Sequence, residues 1–450
     1  MLGTSIYLAM DSKPPSSHFN YFPSKTSVKR NKRPSKRLDM SKKSAWFSLG
    51  HNSKNSSSNH EHEGHKFNGE FKARHNGFAS RESKPKDSFL KKEKVNTCAL
   101  SEEISVELMS NEAIYSHLNK VSRSFALTIP LMPNPLKDYI ALAYLMCRIV
   151  DTVEDDSQAN IVDKITWLSD FSFLAGDEFA ELDVLHALKE RALELTKNGS
   201  QEDDIKLVKD LDKAVNLLLS YDDEVKEVLC RALSIMSHGM ASFLRSSLDE
   251  DVQEQGIKNL DDVDNYCYFV AGVVGEMLAE LFAIYDKTVD KKELLDLSVS
   301  FGEGLQLTNI LRDRAKDLKR GASFLPGNTE DEVLDYVALT EGHLNDAINF
   351  ICALDPKASS GVRLFCLTNV VMAMYLLRQV SRNPLDPNCD YRISKANLKR
   401  LFLLSKLANR SNLGVRLFSL SLTIGMRCQR RSVRQLRDKV SIWDHSPTTN

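Results

Sequence analysis

The chain has 450 residues, of which 42% are hydrophobic and 27% charged, and its 60 Lys+Arg nearly cancel 61 Asp+Glu. That balance excludes a collagen-like, wholly disordered or multi-span membrane polypeptide and leaves enough apolar residues for a large core. Eight cysteines, at 98, 147, 230, 267, 352, 366, 389 and 428, include no Cys-x-x-Cys pair and no histidine at zinc-ligand spacing, so neither a disulfide scaffold nor a structural zinc site is expected.

Residues 1–98 carry 20 Lys+Arg against 8 Asp+Glu, and the remainder carries 40 against 53. This first segment is rich in Ser, Asn, Lys, Arg and His and shows no sustained helical or strand periodicity. It cannot bury enough apolar surface to offset the entropy of ordering, which predicts disorder. Its acid-poor start leaves room for organelle targeting, although no apolar core of secretory length follows the first charges. His60, His62 and His65 read as a solvated tract, and with few interleaved aromatics no specific nucleic-acid partner is expected.

From 99 to 410 long amphipathic stretches are broken at Pro130 to Pro135, Asn198 to Ser200, Gly321, Pro326 to Asn328 and Pro384 to Pro387. The pattern predicts an all-α body, a single large helical domain able to enclose a cavity. Within it, Tyr139 to Asp156 is apolar nearly all round and reads as a buried helix. Tyr144, Arg148, Asp151 and Asp155 step by four, three and four, which puts them on one face.

A second run, Phe301 to Asp317, repeats the arrangement with Gln306, Asn309, Asp313 and Asp317, and Arg312 lies beside the carboxylates. Buried charge without compensation is very costly, so such stripes face ions, counter-charges or a wet cavity. Oxygen donors without His or Cys suit Mg²⁺, with Mn²⁺ as a substitute, and neighbouring arginines suit diphosphate oxygens.

The last part, 411–450, holds an apolar run from Leu413 to Met426 interrupted by Arg416, then RCQRRSVRQLRDK. The run is shorter than the ~20 residues that span a bilayer. A basic amphipathic element on an anionic membrane surface and a simple packed helix are the two readings of it.

Five motifs in order, SRSF at 122–125, DTVED at 151–155, YCYFVAGVVG at 266–275, LQLTNILRD at 305–313 and FCLTNVVMA at 365–373, resemble the squalene/phytoene synthase family of head-to-head prenyl transferases. The third and fifth are most similar to the squalene branch. The resemblance implies one isoprenoid-synthase helical domain around a central apolar channel. It also implies metal clusters at Asp151, Glu154 and Asp155 and at Asn309, Asp313 and Asp317. Arg123, Arg148 and Arg312 would grip diphosphate, with Gln306 ordering water or an oxygen of it. Phe125, Val270, Leu278 and Phe365 would line the channel, Phe365 also offering its ring to a cation. Tyr266 would handle the proton of the first half reaction, and Tyr144 would assist the bound substrate.

The implied chemistry joins two farnesyl diphosphates through presqualene diphosphate to squalene, with NADPH as reductant. A cytoplasmic monomer attached peripherally to the membrane that accepts the product is the implied setting. Three positions depart from the family pattern: Lys316 replaces an acid of the second cluster, Ala322 a basic residue, and Asn369 a common proline. No G-x-G-x-x-G follows a strand, so NADPH rests on the resemblance alone. Dehydrosqualene, hydroxysqualene or phytoene synthesis is the alternative within the family, and a non-catalytic assembly factor the alternative outside catalysis.

Overall fold

A computed structural model describes residues 107–122, 124–248, 257–319, 322–386 and 391–444, with only the backbone of Leu182. The segment 1–98, Arg123 and Gly321 therefore lie outside the described residues. In chain order the helices are α1 (Asn111–Val121), α2 (Phe125–Thr128), α3 (Leu136–Asp155), α4 (Ile161–Gly176), α5 (Leu182–Thr196), α6 (Glu202–Lys209), α7 (Leu211–Leu219) and α8 (Asp223–Ser246). They continue with α9 (Leu260–Cys267), a π turn (Tyr268–Gly272), α10 (Val273–Tyr285), α11 (Lys291–Lys319), α12 (Glu330–Ala353), α13 (Ser360–Val380), α14 (Lys395–Ala408), α15 (Asn412–Thr423) and α16 (Val433–Val440). The described residues belong to one compact, all-α unit.

Helix ends fall where the backbone chemistry demands. Proline lacks the amide donor and asparagine and glycine favour turns, and the breaks at 130–135, 198–200 and 326–328 each separate two helices. Ser110, Asn160 and Ser394 accept hydrogen bonds from the first-turn amides of α1, α4 and α14, and Thr329 with Glu332 forms a capping box on α12.

The long helix α11 lies at the centre, packed by α10, α12, α13 and α16. Two glycines set how closely it is approached. A Cβ on Gly302 would sit 2.2 Å from the carbonyl oxygen of Ala271, and one on Gly275 2.1 Å from that of Ser298. Any side chain there would push α11 off the π turn and α10. On the far side of α11, Ser300 Oγ meets His343 Nδ1 at 2.7 Å and donates to Asp346 Oδ2 at 3.0 Å, tying α11 to α12 through a buried polar group.

Two stretches, Leu260–Tyr285 and Ser360–Val380, are long and apolar enough to cross a membrane, but 78% of each such window is buried inside the fold. They are core helices. The segment from 411 onward packs on the same body: α15 lies against α12, α13 and α14, and α16 against α9 and α11. Its basic residues are largely consumed in doing so. Arg431 makes a two-pronged bond to buried Asp264 at 2.7 and 2.6 Å, Lys439 reaches the same carboxylate at 3.0 Å, and Arg437 Nε donates to buried Glu276 at 2.8 Å.

Candidate active site

A narrow apolar cavity opens between α3, α10, α11 and α13. Ile140, Tyr144 and Cys147 of α3 line it, with Phe125, Ala271, Val274, Met277, Leu278, Phe301, Leu305 and Phe365. Three of the residues singled out from sequence form one aromatic group there. Phe125 lies 5.2 Å from Tyr144 and 6.3 Å from Phe365, ring centroid to centroid. Val270 is buried but does not line the cavity; its neighbours Ala271 and Val274 do. The π turn inserts an extra residue per turn just there, which rotates the wall away from the face that a regular helix would present.

Both carboxylate stripes continue from this wall. On α3, Tyr144 and Cys147 line the cavity and Asp151 and Asp155 follow one and two turns on; on α11, Gln306 and Asn309 line it and Asp313 and Asp317 follow. Asp151, Glu154, Asp313 and Asp317 are buried, and Asp155 at the end of α3 is partly buried. Tyr266 stands outside the apolar wall. Its ring stacks on Phe324, beyond the end of α11, at 5.3 Å and meets Phe243 edge-on at 5.0 Å. Burial and then the charges of Glu154, Asp155 and Asp151 push its phenol well above the ordinary value. The phenol thus stays protonated, chiefly because it is buried, and is a hydrogen-bond donor.

The electrostatics of the two stripes differ. Burial raises both Glu154 and Asp155, and the two carboxyls share a hydrogen bond with Glu154 the more strongly protonated partner. Two carboxylates this close cannot both ionise without a cation. Asp155 Oδ1, Asn309 Oδ1 and Gln306 Oε1 are buried acceptors with no hydrogen-bond partner among the described residues. Such oxygens, hard and uncompensated, fit Mg²⁺. On α11, by contrast, Arg312 Nε donates to Asp313 Oδ2 at 3.0 Å and Lys316 Nζ to Oδ1 at 3.1 Å. Among the described residues no three His, Cys, Asp or Glu side chains converge at metal-binding distance.

The arginines are engaged as well. Arg148 is held by Asp204 of α6 through bonds of 3.0 and 2.9 Å, both groups largely buried. Asp156, next to the first cluster, is a structural cap: it accepts from the amides of Gln158 and Ala159 and from Ser200 Oγ at 2.9, 3.0 and 2.7 Å.

A family model described as squalene/phytoene synthase matches residues 118–333, the span that carries both stripes and most of the cavity wall. The chain belongs to the squalene/phytoene synthase family. Squalene synthase ERG9 of Candida albicans is 30% identical over 319 residues, 65% of this chain and 66% of that one. Squalene synthase BSS of Botryococcus braunii is 33% identical over 266 residues, 57% of this chain and 52% of that one. The chain thus spans between half and two thirds of the length of these relatives. A solved structure of TcSQS with the ligand E5700 has a TM-score of 0.57 at 22% identity, covering 73% of this chain and 95% of that chain, and shares its fold.

Within this squalene/phytoene synthase framework, sequence reasoning missed several residues. Phe324, Asp204, and the Asp264 pairing to Arg431 and Lys439 depend on contacts between distant segments. Asn369 was noted only as a departure. Its side chain lies on the cavity wall, with Nδ2 donating to Thr128 Oγ1 at 3.3 Å and to the carbonyl of Phe365 at 2.9 Å, while Oδ1 is buried without a partner. Gly275 belongs to the third motif, whereas Gly302 lies outside all five; the close backbone approach at both is what brings Ala271 and Leu305 to one wall.

Proposed function

We propose that this chain is a Mg²⁺-dependent prenyl transferase that joins two farnesyl diphosphates head to head through presqualene diphosphate, with squalene as the end product when NADPH supplies hydride. The observation that carries the reading is the pair of buried oxygen-donor stripes on α3 and α11, both running from the wall of one apolar cavity.

Asp151, Glu154, Asp155, Asn309, Asp313 and Asp317 would hold Mg²⁺, whose charge would offset that of the departing diphosphate. Arg312, one residue from Asp313, supplies a guanidinium at the same end, and Arg123 and Arg148 complete the proposed set. The prenyl chains bury against Phe125, Leu278 and Phe365, which keep water from the carbocation. The rings of Phe125, Tyr144 and Phe365, grouped on the cavity wall, would offer π electrons to that cation. Tyr266, protonated, can donate a hydrogen bond to a diphosphate oxygen and orient it to take the proton lost when the cyclopropane closes. Gln306 Oε1 is placed to accept from an ordered water.

The apolar cavity wall carries no cationic side chain, so the phosphates of NADPH would be held outside it, towards the end of α11 that carries Arg312, Lys316 and Lys319. The experiment is incubation of the purified chain with farnesyl diphosphate and Mg²⁺, with and without NADPH, and mass analysis of the extracted lipid. Squalene formed only with NADPH is the expected result; presqualene diphosphate or an alcohol in both arms would move the chain to a neighbouring branch, and no consumption would overturn the catalytic reading. An apolar product needs a lipid acceptor, which supports the membrane surface in the proposed setting of a cytoplasmic monomer attached peripherally to a membrane.

A further inference from the structure

On α15 apolar residues occupy both faces. The face packed on the body carries Val415, Phe418 and Leu422 with Ser419 and Thr423, and yet Leu413, Leu417 and Leu420, spaced by four and three on the other side, are 67%, 58% and 60% exposed. Ile424 extends the stripe beyond the helix end at 65%. A surface helix in water turns such a stripe inward. The preceding helix does the same on a smaller scale: α14 buries Leu401 and Ser405 and leaves Leu403 and Leu407 59% and 52% exposed. The two helices pack on each other as a helical hairpin, its turn closed tightly at Gly414, where a Cβ would lie 2.6 Å from the carbonyl oxygen of Ala408.

Charge identifies the occupant of this face. From Lys395 to Arg430 the chain has eight Lys+Arg and no Asp or Glu. Lys399, Arg400, Lys406 and Arg410 are exposed and make no ion pair among the described residues. The next segment differs: Arg431, Arg434, Arg437 and Lys439 are satisfied within the fold by Asp264, Asp296, Glu276 and Asp261. Unpaired cations around exposed leucines complement an anionic lipid surface, where the charges meet headgroups and the leucines enter the acyl boundary. A second copy fits poorly, because a two-fold pairing of this face would set one basic rim against another.

We propose that the α14–α15 hairpin is the membrane-docking surface of the chain, lying in the interface of an anionic bilayer through Leu403, Leu407, Leu413, Leu417 and Leu420. This deepens the membrane part of the proposed function by naming the surface. It also excludes the basic residues after Arg430 from lipid contact.

The test compares the full chain with its Leu413→Ser, Leu417→Ser, Leu420→Ser triple variant by flotation with phosphatidylcholine vesicles containing about a third phosphatidylserine. Both proteins keep the basic first 98 residues, so any contribution from them cancels. The expected result is co-flotation of the parent chain and a loss of at least about tenfold in partitioning for the variant, with unchanged melting. A second variant, Lys399→Gln with Arg400→Gln and Lys406→Gln, should lose binding to anionic vesicles at physiological salt. Equal flotation of parent and triple variant would overturn the proposal, as would a parent that dimerises through this face and ignores vesicles. Farnesyl diphosphate turnover is measured separately: vesicle binding without turnover would leave the docking surface standing and remove the catalytic reading alone.

Discussion

Lys316 lies one turn beyond Asp313 on α11 and occupies its Oδ1, while Arg312 occupies Oδ2. A divalent cation must displace that ammonium to reach the carboxylate. The lysine side chain is 45% exposed, so the competing bond is a screened one of about 0.2–1 kcal/mol. Lys316→Gln should therefore tighten the Mg²⁺ midpoint of turnover by up to about fivefold, as read from a Mg²⁺ titration at saturating substrate. An unchanged midpoint would remove Asp313 from the metal set. Tyr266→Phe deletes one hydroxyl from an aromatic stack that otherwise survives, so turnover should fall by about a hundredfold or more with little change in melting temperature. Near-parental turnover would show that the phenol takes no part. At this scale the stripes were legible, because helical spacing alone puts Asp151 with Asp155 and Asp313 with Asp317. The partner of Arg148 was not, since Asp204 lies 56 residues away and no local pattern links the two.

Helix α12 carries an acid in an apolar setting. Burial pushes the Glu341 carboxyl up to about 7, against hydrogen bonding from Asn345 and the charge of Arg430, which pull it down. A carboxyl raised in the folded state favours folding while it is protonated. Its contribution is full below about pH 4.5, the unfolded value, and is lost as pH rises through about 7. Glu341→Gln keeps an oxygen for Asn345 Nδ2, which donates to Oε1 at 3.1 Å, and removes the charge. The variant should melt about 4 °C above the parent at pH 8 and close to it at pH 4.5; an equal difference at both values would mean that the acid is not the cause. The helices themselves were readable from periodicity and breakers. What periodicity could not show is a π turn, whose longer hydrogen-bond step leaves the side-chain pattern unmarked, and so Val270 was placed on a wall that Ala271 and Val274 form. Nor could it show which way α15 faces, because an apolar stripe in sequence looks the same whether it meets the core or the outside.

At the scale of the whole molecule the charge asymmetry of the sequence divides into an external and an internal part. Basic residues near the end of the chain read as a surface for anions, yet those from Arg431 to Lys439 close ion pairs with carboxylates 138 to 178 residues earlier. Asp264 lies two residues before Tyr266, and Glu276 accepts from the Tyr268 hydroxyl at 3.0 Å while Tyr268 Oη accepts from the amide of Ile442. The end of the chain is thus bolted to the segment that positions the candidate catalytic tyrosine. Deleting residues 431–450 strips the cations from two carboxylates that are 1% and 0% exposed. Uncompensated buried charges cost about 3–5 kcal/mol each, a large fraction of the roughly 5–15 kcal/mol that holds a typical domain folded. The truncated chain should therefore fail to accumulate as folded protein or melt well below the parent. Adding Asp264→Asn and Glu276→Gln to the truncation removes both stranded charges and should recover part of the melting temperature, measured by circular dichroism. A truncated chain that melts with the parent, or a neutralised one that recovers nothing, would show that α16 covers the fold without holding it.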